Sequence, residues 1–96
     1  MATNQSVRSA TRALRALLKH ADAASVTLSG VAIRGGALVV EVNAGSDFTR
    51  LQDQLGRHGR YFRTIEAWWF DQPSGRECCD YRHAAGTIVT LQGPPR

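Results

Sequence analysis

Residues 5–24 contain neither glycine nor proline, and within them Val7, Ala10, Leu14, Leu17, Leu18 and Ala21 recur at i, i+3, i+4 spacing. That is the period of a helix with one buried face. At about 100° per residue these apolar positions share a sector of about 100°. Arg8, Arg12, Arg15 and Lys19 lie in the same stretch and fall within about 60° of one another. The centres of the two stripes are roughly 140° apart, so one face can dock on a core while the other shows four like charges to solvent. Like charges at i, i+4 repel by a few tenths of a kcal/mol per pair. No acid occurs in residues 1–21 to relieve them.

This segment holds the entire net charge. The 96-residue chain has 12 Lys plus Arg against 8 Asp plus Glu, a formal +4. Residues 22–96 carry eight cations and eight anions and are neutral. Eleven of the cations are Arg, beside thirteen Ala, a bias that GC-rich bacterial codon usage produces. Arg is also the cation suited to bidentate contact with phosphate or carboxylate. An amphipathic, acid-poor N-terminus with Arg and Ser is also what a mitochondrial transit peptide looks like. We read it instead as a helix of the mature domain. Charges every three or four residues leave no apolar core for a secretory signal.

The length fits one domain, residues 1–96, and 43% apolar residues suffice for a core. No apolar run approaches the ~18–20 residues that cross a bilayer, so no membrane partner is expected. Cys78 and Cys79 are adjacent and cannot build a disulfide scaffold; a free pair fits a reducing compartment, read here as the cytoplasm.

Beyond the helix, Ser25–Arg34 and Ala37–Asn43 alternate as strands around Gly35-Gly36, a two-residue hairpin signal. Pairing across that turn sets Ile33 opposite Leu38 and Val31 opposite Val40, with Ser29 meeting Val42. Val26 and Leu28 have the other parity, so a bulge near Gly30 is expected to return them to the apolar face. Ser46 and Asp47 read as the N-cap and first turn of a second helix through Phe48, Leu51 and Leu55, closed by Gly56 and Gly59. Tyr61–Asp71, Glu77–His83 and Thr87–Gln92 complete the strands, with a turn at Gln72-Pro73-Ser74-Gly75. The expected fold is α+β, in the order α-β-β-α-β-β-β, with two helices packed on one face of an antiparallel sheet.

Three groups of residues are candidates for function. The first is the stripe Arg8, Arg12, Arg15 and Lys19, extended by Arg57, Arg60 and Arg63, which stand near His58, Tyr61 and Phe62 as a cation-and-aromatic cluster suited to phosphate. The second is Trp68, Trp69 and Phe70 with Tyr81. Adjacent strand residues point to opposite faces, so Trp68 and Trp69 cannot share one core, and one can anchor a homodimer or partner interface. The third is Cys78, Cys79 and His83: the two thiols point to opposite faces, and Cys79 and His83 share a face but lie about 13 Å apart at strand rise, which disfavours a shared tetrahedral metal. One buried thiol and one half-exposed thiol are expected instead.

No nucleophile elbow, P-loop, HExxH or paired-carboxylate spacing is present, so no catalytic residue, cofactor or metal is assigned. The expectation is a small non-enzymatic binding protein, of bacterial or phage accessory type, that engages nucleic acid or an acidic protein surface and forms a homodimer. The alternative is an interaction or assembly module, or a mobile-element inhibitor, that works through its aromatic sheet face. A small enzyme pairing His20, His58 or His83 with an acid is the third class.

Overall fold

The computed structural model describes residues 4–58, 62–84 and 86–94, with the side chains of all of these but 4–7 and 64–68. Two helices and five strands follow in the expected order: α1 (Asn4–Ala23), β1 (Gly30–Arg34), β2 (Ala37–Glu41), α2 (Gly45–His58), β3 (Phe62–Asp71), β4 (Arg76–His83) and β5 (Ile88–Gln92). In space the strands run β1-β2-β5-β4-β3. Three of the four pairings are antiparallel, whereas β2 and β5 run parallel, a departure from the wholly antiparallel sheet expected. A parallel neighbour needs a long crossover, and α2, β3 and β4 together supply it.

The core lies on one face. Leu38 and Val40 of β2 pair with Val89 and Leu91 of β5, which pair in turn with Tyr81 and Cys79 of β4. All six are buried in a single cluster with Ala13, Leu17 and Ala21 of α1 and Phe48, Leu51 and Leu55 of α2. Both helices therefore cover this face, and the other carries none. The second helix approaches closely at Gly93, where a Cβ would lie 3.1 Å from the Phe48 ring.

The Gly35-Gly36 hairpin forms in the expected register, with Ile33 opposite Leu38 and Val31 opposite Val40. Both glycines have positive φ, 56° and 82°, the signature of a type I′ turn. The bulge near Gly30 also forms: Ser29 N–H donates to the Glu41 carbonyl at 2.7 Å although Gly30 is the Cα partner of Glu41. Two consecutive residues thus face one, and Ser29 meets Glu41 rather than Val42. Val26 is buried and Leu28 packs against the core, but both precede β1 and are not placed by strand parity as expected.

Residues 25–29 do not extend β1 as expected, because α1 ends there in a tight cap. Val26 N–H donates to Ala21 O at 2.8 Å and Ser25 N–H to Asp22 O at 3.1 Å, with Ser25 left-handed at φ 58°. This is the paired 6→1 and 5→2 arrangement of a Schellman motif, and Val26 and Ala21 are both buried in the core cluster. At the other helix, Ser46 is not the cap. The α2 helix already begins at Gly45, with Phe48 N–H on Ala44 O at 3.0 Å, so Ser46 and Asp47 lie inside its first turn. It runs through Gly56 to His58, while Gly59 lies outside the described residues.

A non-glycine residue in the left-handed region costs about 1–2 kcal/mol, and glycine gives part of that back in unfolded-chain entropy. Ser25→Gly is therefore expected to stabilise the domain by about 0.5–1 kcal/mol. The urea unfolding midpoint should rise with no change in slope; a fall would show that the Ser25 side chain does more than fill the cap.

Candidate functional site

On α1 the side chains of Ala10, Ala13, Leu17 and Ala21 are buried, Leu14 is half-buried and Leu18 is exposed. The docked face is thus centred on small residues and turned away from Leu18, which the sequence had placed in the apolar stripe; Val7's side chain is outside the described ones. Small side chains let the helix axis sit low on its neighbours. The rotation also changes the relation of the two stripes: Arg8, Arg12, Arg15 and Lys19 now centre roughly 175° from the buried face. All four are exposed. Among the described residues no acid lies within ion-pair reach of any of them. Asp22, exposed and seven residues beyond Arg15, closes the stripe at its C-terminal end.

The second cationic segment does not form one cluster. Arg57, on the last turn of α2, pairs with Asp53 one turn earlier at 3.0 Å. Arg63 follows Phe62, whose ring is buried on the helix side, so Arg63 points to the opposite, helix-free face. There it stands directly across from Arg82. Arg60 and Tyr61 lie outside the described residues. Like charges directly opposite on a sheet are destabilising, and among the described residues neither Arg63 nor Arg82 has an ion pair.

The expected aromatic surface divides in the same way. Trp69 is on the helix-free face, directly across from Cys78, and is half-buried. Its indole Nε1 is buried with no hydrogen-bond partner among the described residues. Phe70 is half-buried on the other face, opposite Glu77. Tyr81 was expected in an interface and is instead a core residue, 5% exposed beneath the helices, where burial pushes its hydroxyl up to about 12. The Trp68 side chain is outside the described ones.

Cys78 and Cys79 point to opposite faces as alternation requires, but both are buried, against the expectation of one half-exposed thiol. Burial pushes the Cys78 thiol up to about 11. Burial raises Cys79 as well, partly offset by the Gln52 amide donating to its sulfur at 2.7 Å. Cys78 is buried on the face without helices, where several polar groups bond to one another. Thr90 Oγ1 donates to Asp80 at 2.8 Å, and Ser74 Oγ donates to Asp71 at 2.6 Å. Arg76 donates to the Gly93 carbonyl at 2.7 Å and lies 4.0 Å from Glu41. Among the described residues no three of His, Cys, Asp and Glu converge as metal ligands would.

Two histidines meet across the helix-side core. Phe62 packs between His83, 4.9 Å away centroid to centroid, and His20 of α1 at 5.9 Å. Gln54 Nε2 lies 3.2 Å from His20 Nδ1, and an amide nitrogen only donates, so this contact needs an unprotonated Nδ1. Burial lowers the pKa of His20, helped by the charge of His58, and burial alone lowers that of His83. A depressed histidine pKa means that the unfolded chain binds protons first as pH falls. Stability is therefore full above the unfolded value of about 6.5 and declines below it until the folded-state values are passed. Urea midpoints are expected to drop between about pH 7.5 and about pH 5.5, and less so in His83→Phe and His20→Gln. A flat wild-type profile would overturn the assignment of both rings as neutral packing groups.

No protein-family model and no curated protein sequence matches this chain, so the function must be read from charge, exposure and packing.

Proposed function

We propose that the protein is a small non-enzymatic binding protein that engages a polyanion, nucleic acid first, through the exposed face of α1. One observation carries this reading: Arg8, Arg12, Arg15 and Lys19 form a single exposed stripe, opposite the docked face, with no acid in ion-pair reach among the described residues. Such a stripe contributes nothing to packing. It holds Arg8 against Arg12, and Arg15 against Lys19, at the i, i+4 spacing where like charges repel. A partner that supplies phosphates relieves the repulsion and releases counterions. Three of the four cations are guanidinium groups, which bind phosphate through two parallel hydrogen bonds.

Arg63 and Arg82 lie on the opposite side of the sheet and are not part of this surface. Arg57 is already occupied by Asp53. The surface we propose is thus narrower than the one the sequence suggested. The proposed place of action is the cytoplasm, since a cysteine pair that builds no disulfide scaffold fits a reducing compartment.

Affinity for duplex DNA or structured RNA is expected to fall by ~10² between about 50 and about 200 mM salt if the four cations each engage one phosphate. Arg8→Glu, Arg12→Glu and Arg15→Glu together should abolish binding while leaving the circular dichroism spectrum unchanged. The single change Arg12→Glu separates function from fold more sharply. It replaces two repulsive contacts, with Arg8 and Arg15, by two attractive ones and should stabilise α1 by about 0.5 kcal/mol while weakening the complex. Wild-type affinity in the triple variant would reduce the stripe to a solvated face.

A further inference from the structure

Strand β1 is one edge of the sheet and carries two apolar side chains that the domain leaves uncovered, Val31 at 46% and Ile33 at 53% exposure. Both lie on the helix-side face, since they pair with Val40 and Leu38 of the core. The backbone of this edge is equally open. In a type I′ hairpin the residues flanking the turn, Arg34 and Ala37, form a hydrogen-bonded pair. Hydrogen-bonded and non-hydrogen-bonded pairs then alternate along an antiparallel ladder. The N–H and C=O groups of Ala32 and Gly30 are therefore spent on β2, and those of Val31 and Ile33 point outward.

We propose that β1 pairs antiparallel with β1 of a second copy of this chain, about a two-fold axis at Ala32, to make one continuous ten-stranded sheet. In that register Val31 faces the second copy's Ile33 and Ile33 faces its Val31. All four outward groups on each copy's Val31 and Ile33 find partners, giving four backbone hydrogen bonds. The exposed apolar side chains meet each other on the helix-side face. On the opposite face Arg34 falls across from the second copy's Gly30, where no side chain stands in its way. The carboxylate nearest that glycine is Glu41: a Cβ on Gly30 would lie 2.9 Å from Glu41 Oε2. Arg34 is exposed and, among the described residues, has no ion pair within its own chain. The two-fold thus brings each unpaired guanidinium to a carboxylate draped over the facing strand, twice per dimer. Sliding the register by two residues in either direction breaks the Val31–Ile33 match and removes Arg34 from Gly30, so the complementarity selects this one pairing.

The axis runs perpendicular to the sheet, so both copies of α1 lie on the same side and both helix-free faces on the other. The homodimer expected at Trp68 or Trp69 is thereby proposed at a different surface. This pairing does not depend on the polyanion reading and can be tested without any ligand.

A five-residue edge makes a small interface, so association is expected to depend on concentration. Sedimentation equilibrium of the intact chain, up to a few hundred micromolar, should show the monomer mass of 10.5 kDa doubling. Ile33→Lys should hold the protein monomeric, and Arg34→Glu, which sets two carboxylates together, should weaken the dimer about tenfold or more. Ala32→Cys tests the register. A non-hydrogen-bonded pair brings its Cα atoms to about 4.5 Å, within disulfide range, while Cys78 and Cys79 stay buried and unreactive. Mild oxidation should cross-link Ala32→Cys and leave the exposed control Thr27→Cys single. A monomer at every concentration overturns the proposal. So does a dimer that survives Ile33→Lys and Arg34→Glu, or an Ala32→Cys variant that cross-links no faster than the control.

Discussion

The parallel ladder between β2 and β5 is the contact on which the rest of the molecule depends. Leu38 against Val89 and Val40 against Leu91 are fully buried and stand at the middle of the sheet. On one side of this seam lies the β1–β2 hairpin, and on the other the β3-β4-β5 meander. Neither has another strand-to-strand tie to the other half. Closing the ladder joins residues separated by about 50 positions, a cost that grows only logarithmically with loop length. What repays it is the layer above. Helices α1 and α2 rest on apolar side chains drawn from both halves, so helix docking and sheet closure support each other. The backbone continues the seam past the strands, where Val42 N–H donates to Gln92 O at 2.8 Å.

Much of this architecture was legible because it is local. The spacing of apolar residues in α1, the Gly-Gly turn, the bulge at Ser29–Gly30 and the Pro73-Ser74-Gly75 turn each follow from a few neighbouring residues. The parallel pairing is not local, and nothing near β5 in sequence names its partner. A trace of it was present: Ala37-Leu38-Val39-Val40 is a continuous apolar run rather than an alternation, as befits a strand buried on both faces. The end of strand β1 at Gly30 was hidden for another reason. Ser25 adopts a conformation that serine rarely takes, and no residue preference announces it.

The candidate site was legible in its charges and illegible in its surroundings. The stripe on α1 was visible from helical spacing alone, and the structure moved only the buried face beneath it. The separation of Arg57 from Arg63 depends on the strand parity of Phe62, and the burial of Tyr81 on which face the helices choose. Arg34, Glu41 and Arg82 were not among the candidates, because each matters through a cross-strand neighbour. The helix-free face carries both polar side chains and the half-buried Trp69. Asp80, Arg76, Asp71 and Ser74 form hydrogen bonds on this side, where Cys78, Thr90 and Gln92 are buried and Trp69 stands across from Cys78.

Neutrality beyond residue 21 therefore has a structural form. Glu41 answers Arg76, Asp47 answers Arg50 and Asp53 answers Arg57, so several charges of the neutral part are held near their opposites. Arg34 is an exception whose nearest match in kind, Glu41, belongs to the other end of its own hairpin; only a second strand turned end for end carries that carboxylate to it. The α1 cations are exceptions of another sort. They lie on the face of the helix farthest from the core, where among the described residues none of them has an ion pair. Packing could have been satisfied with any polar residues at those four positions, because packing acts only on the opposite side. The choice of four like charges, at spacings that weaken the helix, is a property the fold does not require, and it is the observation on which the proposed polyanion partner rests.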